Sequence, residues 1–158
     1  MKSVHKIISS ITLPKGVTTG FTKQLSLRER LRVLNVNLMK FKGLRQEKYN
    51  EPILIRNTSI SAKTACIDLK DLVGSSRQEG YKNWVESLNS LQKGNNFNIL
   101  SDHGIPSFER FLLNATHDLP QVFEKQGSYY IAGGGKHRLT IAKCCGIKQA
   151  KVDVIVAK

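Results

Sequence analysis

The chain has 158 residues, of which 40% are hydrophobic, and its 25 lysines and arginines outnumber 12 acidic residues to give a net charge of +13. This size and composition fit one globular domain, and they exclude low-complexity and fibrous chains. No apolar run is long enough to cross a bilayer, and three cysteines, two of them adjacent, do not make a disulfide framework. We therefore expect a cytoplasmic protein without a membrane partner.

The first predicted elements lie in the basic N-terminal third. A strand is predicted over His5 to Leu13, and Ser26 with Glu29 forms a capping box for a helix that continues to Gly43. The polar face of this helix carries five cations, which are Arg28, Arg30, Arg32, Lys40 and Lys42. Residues 1–50 hold 11 basic and 2 acidic residues, so these cations are predicted to bind DNA or another polyanion. The alternatives are an ordinary helix packed on the domain and a helix that forms a homodimer.

The middle of the chain predicts two strands and a second helix. The strand candidates are Glu51 to Asn57 and Lys63 to Leu72. Ser76 and Glu79 form another capping box, and Gly94 is predicted to end the helix that follows. Its apolar stripe, predicted to be core, consists of Tyr81, Trp84, Val85, Leu88 and Leu91.

The last part of the chain alternates helix and strand. After a loop at residues 93–98, a third helix is predicted over residues 105–116. A hairpin is predicted in which Gln121 to Glu124 pairs with Ser128 to Ala132 around Gly127. A short helix over residues 136–145 then leads through Gly146 to a closing strand. The predicted fold therefore mixes helices and strands (α/β in the broad sense), and within that group we expect the α+β class.

The turn between the hairpin and the short helix predicts a phosphate site. Glycines at a strand-to-helix junction let a ligand approach the backbone, and the first helical N–H groups attract an anion. The predicted site comprises six residues, which are Gly133, Gly134, Gly135, Lys136, His137 and Arg138. Arg138 is expected to be the principal ligand, His137 to assist, and Lys136 to be outermost and dispensable. The alternatives are a tight turn with a solvated basic helix start, and an Arg138 tied to a carboxylate such as Asp102 or Glu79.

The stretch "YYIAGGGKHRLTIAKCCGIKQAKVDVIV" (residues 129–156) resembles the ParB N-terminal and sulfiredoxin-like superfamily, which includes ParB-like nuclease domains. The match lies in the aromatic strand, the glycine turn with its His-Arg pair, the helix and the closing strand: Tyr130, Gly135, His137, Arg138, Ala142 and Gly146. It extends over about residues 65–157. The resemblance implies a compact domain with a small mixed sheet, whose glycine turn holds a phosphate of a nucleoside di- or triphosphate, with Mg²⁺.

The chain departs from this family in several places. Lys136 stands where sulfiredoxins have a catalytic cysteine, so we do not expect sulfinic-acid repair, and Cys144 and Cys145 are expected to be buried packing residues. Because the chain stops at Lys158, we do not expect the helix-turn-helix and dimer domains of partitioning ParB proteins. We divide the chain into a basic N-terminal helical extension, 1–60, and a ParB-like domain, 61–158, with a helical insertion near 95–118.

These features lead to three functional hypotheses. The first is a ParB-like protein that binds a nucleotide or DNA, such as mobile elements encode. The second is a nucleotide-dependent enzyme of the same superfamily, a small-molecule kinase, nucleotidase or nuclease, whose weak catalytic candidates are Glu79, Asp102 and His137. Asp68 and Asp71 are further carboxylates that such an enzyme could use. The third is a degenerate domain that binds only protein partners.

Overall fold

The computed structural model describes residues 25–92 and 95–158. Within these residues it contains five α-helices and five strands, in the order α1 Leu27–Val33, α2 Leu38–Gln46, β1 Lys63–Asp68, β2 Leu72–Ser75, α3 Trp84–Ser90, α4 Asn95–Asn114, β3 Gln121–Lys125, β4 Ser128–Ile131, α5 Lys136–Cys144 and β5 Gln149–Val156. A 3₁₀ turn, Leu69–Asp71, joins β1 to β2. The strand predicted over His5 to Leu13 lies outside the described residues.

The five strands form one mixed sheet in the order β1-β5-β3-β4-β2. β5 pairs antiparallel with β1 and parallel with β3, while β4 pairs antiparallel with β3 and parallel with β2. The hairpin, the closing strand and the α+β class are therefore confirmed. Ser75, the last residue of β2, lies opposite Ile131, the last residue of β4, so these two strands end at the same edge of the sheet.

The core lies between the sheet and the helices. β5 alternates buried and partly exposed residues, and its buried side chains are Ala150, Val152 and Val154. Alternation of this kind indicates a strand with one face packed on a core. α4 packs on β5, and α3 packs against α5. Four residues of the predicted stripe, Trp84, Val85, Leu88 and Leu91, are buried as expected, whereas Tyr81 lies before α3 and is only partly buried.

The N-terminal helix is interrupted, contrary to the prediction of one helix up to Gly43. α1 ends at Val33 and α2 begins at Leu38, so Gly43 lies inside a helix. Asn35 adopts φ 56°, and the Val36 N–H donates to the Leu31 carbonyl at 2.9 Å, which is a Schellman motif. Asn37 then caps α2 by accepting from the Lys40 N–H at 2.9 Å. Ser26 caps α1 as predicted by accepting from the Glu29 N–H, while the Glu29 carboxylate accepts from the Ser26 hydroxyl and not from its N–H as in a full capping box.

The second predicted capping box is wrong. Ser76 lies at the end of β2, where its N–H and hydroxyl donate to the Ile131 carbonyl. The chain then turns through Gln78 and Gly80, which both have positive φ. α3 begins eight residues after Ser76, with Asn83 as its N-cap, and ends before the predicted Gly94. Because Ser76 is engaged by the sheet, its hydroxyl is not available to start a helix.

Three further predicted boundaries are wrong. Residues 95–98, expected to be a loop, are the first turn of α4, which has a kink at Gly104 (φ 82°, ψ 173°). Glu51 to Asn57 is not a strand, although Arg56 forms a single bridge with Ala157. The strand predicted over Lys63 to Leu72 divides into β1, the 3₁₀ turn and the start of β2.

Residues 25–60, which the sequence places in an extension, share the core of the domain. Leu34 and Tyr49 are buried in it. Asn50 runs beside β2, where the Ser75 N–H donates to its carbonyl at 2.9 Å. A Cβ atom on Gly74 would lie 1.7 Å from that carbonyl oxygen, so only glycine fits there. No helix in the described part of the chain is long and apolar enough to span a membrane.

Candidate phosphate-binding cleft

The predicted glycine turn is present between β4 and α5. Gly135 has φ 95°, and a Cβ atom there would lie 2.3 Å from Cβ of Pro120, so both backbone and space require glycine. Gly133 and Gly134 are exposed, and a Cβ atom on Gly134 would contact nothing within 4 Å. α5 begins at Lys136. Its first N–H groups have no intrahelical acceptor, so this turn presents open backbone at the positive end of a helix.

A cleft of about 270 Å³ lies beside this turn. Its lining comes from the loop after β2, from α3 with the loop after it, and from the start of α5: Arg77, Glu79, Tyr81, Ser90, Gln92, Lys136 and His137. Because β2 and β4 are parallel, the loops that follow them meet at one edge of the sheet. Ligands of α/β proteins commonly bind beyond the carboxyl ends of parallel strands.

Lys136 is the most buried cation of the cleft, with 7% of its surface exposed. Its ammonium group donates to Glu79 Oε2 and the Tyr81 hydroxyl, both at 2.8 Å, and to Ser90 Oγ at 3.3 Å. The same group lies 4.8 Å from the centroid of the Tyr81 ring, a cation–π distance. The prediction that Lys136 is the outermost of the three basic residues is therefore wrong, because it ties α5 to the loop after β2.

Glu79 is held as a carboxylate by two cations. Burial alone would raise its pKa, but the hydrogen bond and charge of Lys136, with the charge of Arg77, hold that pKa below its usual value. Its Oε1 atom lies 3.3 Å from Nε of Arg77 in an ion pair without hydrogen-bond geometry. Arg77 also donates from Nη1 to the Gly133 carbonyl at 3.2 Å, so its guanidinium spans from Glu79 to the glycine turn.

The three basic residues that open α5 diverge, as successive residues of a helix must. His137 lines the cleft together with Lys136. Arg138 instead lines a neighbouring hollow and donates from Nη2 to the Asp118 carbonyl at 2.6 Å. Its partner is thus a backbone carbonyl, and neither of the carboxylates that the sequence suggested. The guanidinium next to the glycine turn belongs to Arg77, which sequence reasoning missed.

The remaining catalytic candidates lie apart from this cleft. Asp102 is exposed on α4, where we had expected a loop. Asp68 accepts from Gln149 at 3.0 Å and lines a different hollow. Among the residues that line the cleft, Glu79 is the single acidic side chain. In residues 25–92 and 95–158, no three His, Cys, Asp or Glu side chains are grouped to hold a metal ion.

The adjacent cysteines are buried in the core, as expected. Burial raises the pKa of the Cys145 thiol to about 11 and raises the pKa of Cys144 further. Both thiols are therefore protonated near neutral pH, and a protonated thiol is a poor nucleophile. Cys144 and Cys145 pack at the far end of α5 from the glycine turn.

The cations predicted to bind DNA lie on α1 and α2, and four of them reach the surface. Arg30 is the exception, since only 3% of it is exposed and its Nη1 donates to the Leu88 carbonyl at 2.6 Å. Its placement on the solvent face was wrong, because the side chain joins α1 to α3. Lys40 lies beside Gly146, at the C-terminal end of α5. Lys40 and the glycine turn are thus at opposite ends of α5, about 13 Å apart along its axis.

Comparisons with protein-family models, curated proteins and solved structures find no match. The resemblance to the ParB and sulfiredoxin-like superfamily therefore depends on its motifs. A nucleotide phosphate could approach the turn, since Gly133 and Gly134 are exposed and a Cβ atom on Gly134 would contact nothing within 4 Å. A magnesium ion would find few protein ligands, because Glu79 already pairs with Lys136 and Arg77.

Proposed function

We propose that this protein binds a phosphate group of a nucleotide in the cleft at the glycine turn, as a ParB-like nucleotide-binding protein. The observation that carries the proposal is the meeting of three features: the exposed glycines Gly133 and Gly134, the N-terminus of α5, and the guanidinium of Arg77. Each of these features favours an anion. Within the cleft the positive charge of Lys136 is offset by Glu79, so Arg77 supplies the attraction.

Each residue of the cleft has a distinct part in this proposal. Arg77 would give up its hydrogen bond to the Gly133 carbonyl and donate to phosphate oxygens instead, since one guanidinium binds a phosphate by two parallel hydrogen bonds. His137 lies at the same opening and would add a third contact. Lys136 positions the Glu79 carboxylate and the first turn of α5. The nucleoside di- or triphosphate would bring its Mg²⁺ with it, coordinated by phosphate oxygens and water.

The test is a thermal-shift screen of nucleoside di- and triphosphates with and without Mg²⁺. A ligand that binds only the native state raises the melting temperature by mass action. We expect Arg77→Ala to weaken binding by roughly ten- to a hundredfold, and Arg138→Ala, the matched control, to weaken it far less. If no nucleotide raises the melting temperature, or if Arg138→Ala is the more damaging variant, the cleft is not the phosphate site.

A second partner, DNA, is proposed for the cations of α1 and α2. Arg28, Lys40 and Lys42 are exposed, and Arg32 is partly exposed. Clustered cations bind duplex DNA by releasing condensed counterions. This contact would be made to the phosphate backbone and would be independent of base sequence. It is separate from the nucleotide cleft, so each surface can be tested alone.

An enzyme is the second candidate function, and one observation favours it. Glu79 places a carboxylate in the same cleft as the proposed phosphate. Its lowered pKa, however, makes it a weak general base near neutral pH, and the carboxylate is already engaged by Lys136, Arg77 and the Tyr81 hydroxyl. Binding without turnover is therefore the better-supported function. Release of inorganic phosphate that depends on Mg²⁺ and is lost in Glu79→Gln would favour the enzyme instead.

A further inference from the structure

A groove lies between α1 and α2, and its shape follows from the Schellman motif at Asn35. The chain leaves α1 there through Asn35 at positive φ, and the Val36 N–H donates to the Leu31 carbonyl before α2 begins. The groove has a volume of about 440 Å³. Its apolar lining is formed by Leu31, Val36, Leu38 and Phe41.

The apolar lining of this groove is poorly covered by the rest of the described chain. Leu38 is 68% exposed, and Met39, the next residue of α2, is 83% exposed. Exposed apolar side chains that adjoin one another indicate a surface for a partner. Such apolar side chains do not strengthen binding to a DNA phosphate backbone, because the contacts to phosphates are made by charged and polar groups. The groove therefore favours an occupant that also has apolar side chains.

The charges at the groove restrict what that occupant can be. Arg28 and Arg32 line it, and no acidic residue does. α2 itself carries Lys40 and Lys42, so the same face of a second copy would meet like charge. A concave groove also suits an inserted side chain better than a flat lipid surface does. An acidic partner with a row of apolar side chains would complement both the positive charge of the groove and its apolar lining.

We propose that the groove between α1 and α2 docks an acidic amphipathic helix of a partner protein. Apolar side chains spaced by three and four residues would contact Leu38 and Phe41, and carboxylates beside them would pair with Arg28 and Arg32. Helix-in-groove recognition of this kind takes its affinity from a few apolar anchors. The proposal is independent of the nucleotide cleft, with which the groove shares no lining residue. It shares Arg28 and Arg32 with the proposed DNA contact, so DNA and the partner helix would compete for this surface.

The probe is a synthetic helical peptide of roughly 14 residues, about four turns, with leucines at i, i+3, i+4 and i+7 and glutamates beside them. Its control has lysine in place of every glutamate. Fluorescence anisotropy with the full chain should show binding of the acidic peptide and at least about tenfold weaker binding of the basic one. Leu38→Ser should weaken binding of the acidic peptide by about tenfold. Ile53→Ser is the matched control, since Ile53 is 82% exposed and does not line the groove.

Four outcomes would overturn the proposal. Equal binding of the two peptides would remove the role of charge, and equal effects of Leu38→Ser and Ile53→Ser would remove the role of the groove. Tight binding of duplex DNA that is insensitive to Leu38→Ser, with no peptide binding, would assign the surface to nucleic acid. A dimer in sedimentation analysis that Leu38→Ser dissociates would assign the groove to a second copy. Circular dichroism of each variant confirms that it is folded, which the exposure of Leu38 and Ile53 leads us to expect.

Discussion

The ammonium group of Lys136 lies 2.8 Å from Oε2 of Glu79, and this ion pair connects the first residue of α5 to the loop that follows β2. The two residues are 57 positions apart in the chain. They meet because β2 and β4 run parallel and end at the same edge of the sheet. The contact therefore fixes the position of the helix N-terminus relative to Arg77.

Replacing Lys136 should destabilise the fold. Lys136→Met removes the cation that pairs with Glu79 and leaves that carboxylate with Arg77 and the Tyr81 hydroxyl. We expect a loss of about 1–3 kcal/mol in the free energy of unfolding, the usual contribution of hydrogen bonds to a charged group. Urea denaturation at neutral pH measures it. The exposed Lys148, replaced in the same way, is the control, and equal losses would contradict the structural role of Lys136.

The stability of the protein should depend on pH in the acidic range, because Glu79 becomes protonated there. Its folded pKa lies below the ordinary value of 4.5, so the ionised form is favoured by folding. The resulting stabilisation is fully present above pH 4.5 and is lost as the pH falls through the lower folded pKa. Glu79→Gln should therefore lose less stability than the wild type between about pH 5 and pH 2. Urea midpoints across that range would show parallel curves if Glu79 made no such contribution.

The glycines of the turn should differ sharply in their tolerance of alanine. Gly135→Ala combines a positive φ with an overlap on Pro120, and the backbone strain alone costs about 1–3 kcal/mol. Gly134→Ala should change stability by less than about 0.5 kcal/mol, because its Cβ meets nothing. Thermal unfolding of the two variants compares them directly. A tolerated alanine at Gly135 would mean that the turn adopts another conformation.

The arginines of α1 should fall into two classes. Arg28→Gln should weaken duplex DNA binding and lower the slope of log affinity against log salt by about one unit if it contacts one phosphate. Arg30→Gln should instead lower stability, since it breaks a buried hydrogen bond of 2.6 Å to the Leu88 carbonyl. Filter binding at several salt concentrations and urea denaturation measure the two effects. An unchanged salt slope in Arg28→Gln would exclude its phosphate contact.

Local signals in the sequence sufficed for the hairpin and for α5. Gly127 follows Gln126 in a two-residue turn with positive φ at both positions, which is the turn that a hairpin prefers. Gly146, with φ 83°, ends α5 in the same left-handed conformation. The break between α1 and α2 was also readable, because Asn35 and Asn37 are suited to a helix end and a helix cap. The regular spacing of leucines concealed it.

The candidate site could not be predicted from any one stretch of the sequence, because its residues come from distant parts of the chain. Arg77 reaches the Gly133 carbonyl across 56 positions of sequence, so its place follows from the parallel pairing of β2 and β4. Lys136 and Arg138 are both basic and lie two positions apart in the sequence, but the helix directs their side chains to different hollows. Arg30 carries a long apolar stem that lets a charged residue lie in a buried position, which a count of charges on a helix face does not reveal.

The contact between Asn50 and Gly74 has a consequence for how the sheet avoids pairing with other molecules. β2 is an outermost strand, and the backbone of Asn50 occupies hydrogen-bonding groups on its outer side. An uncovered edge strand is a template for aggregation. A chain shortened to residues 61–158 would uncover that edge and would also remove Leu34 and Tyr49 from the core. Such a fragment should associate through β2, so the segment around Asn50, between α2 and β1, protects the edge of the sheet against self-assembly.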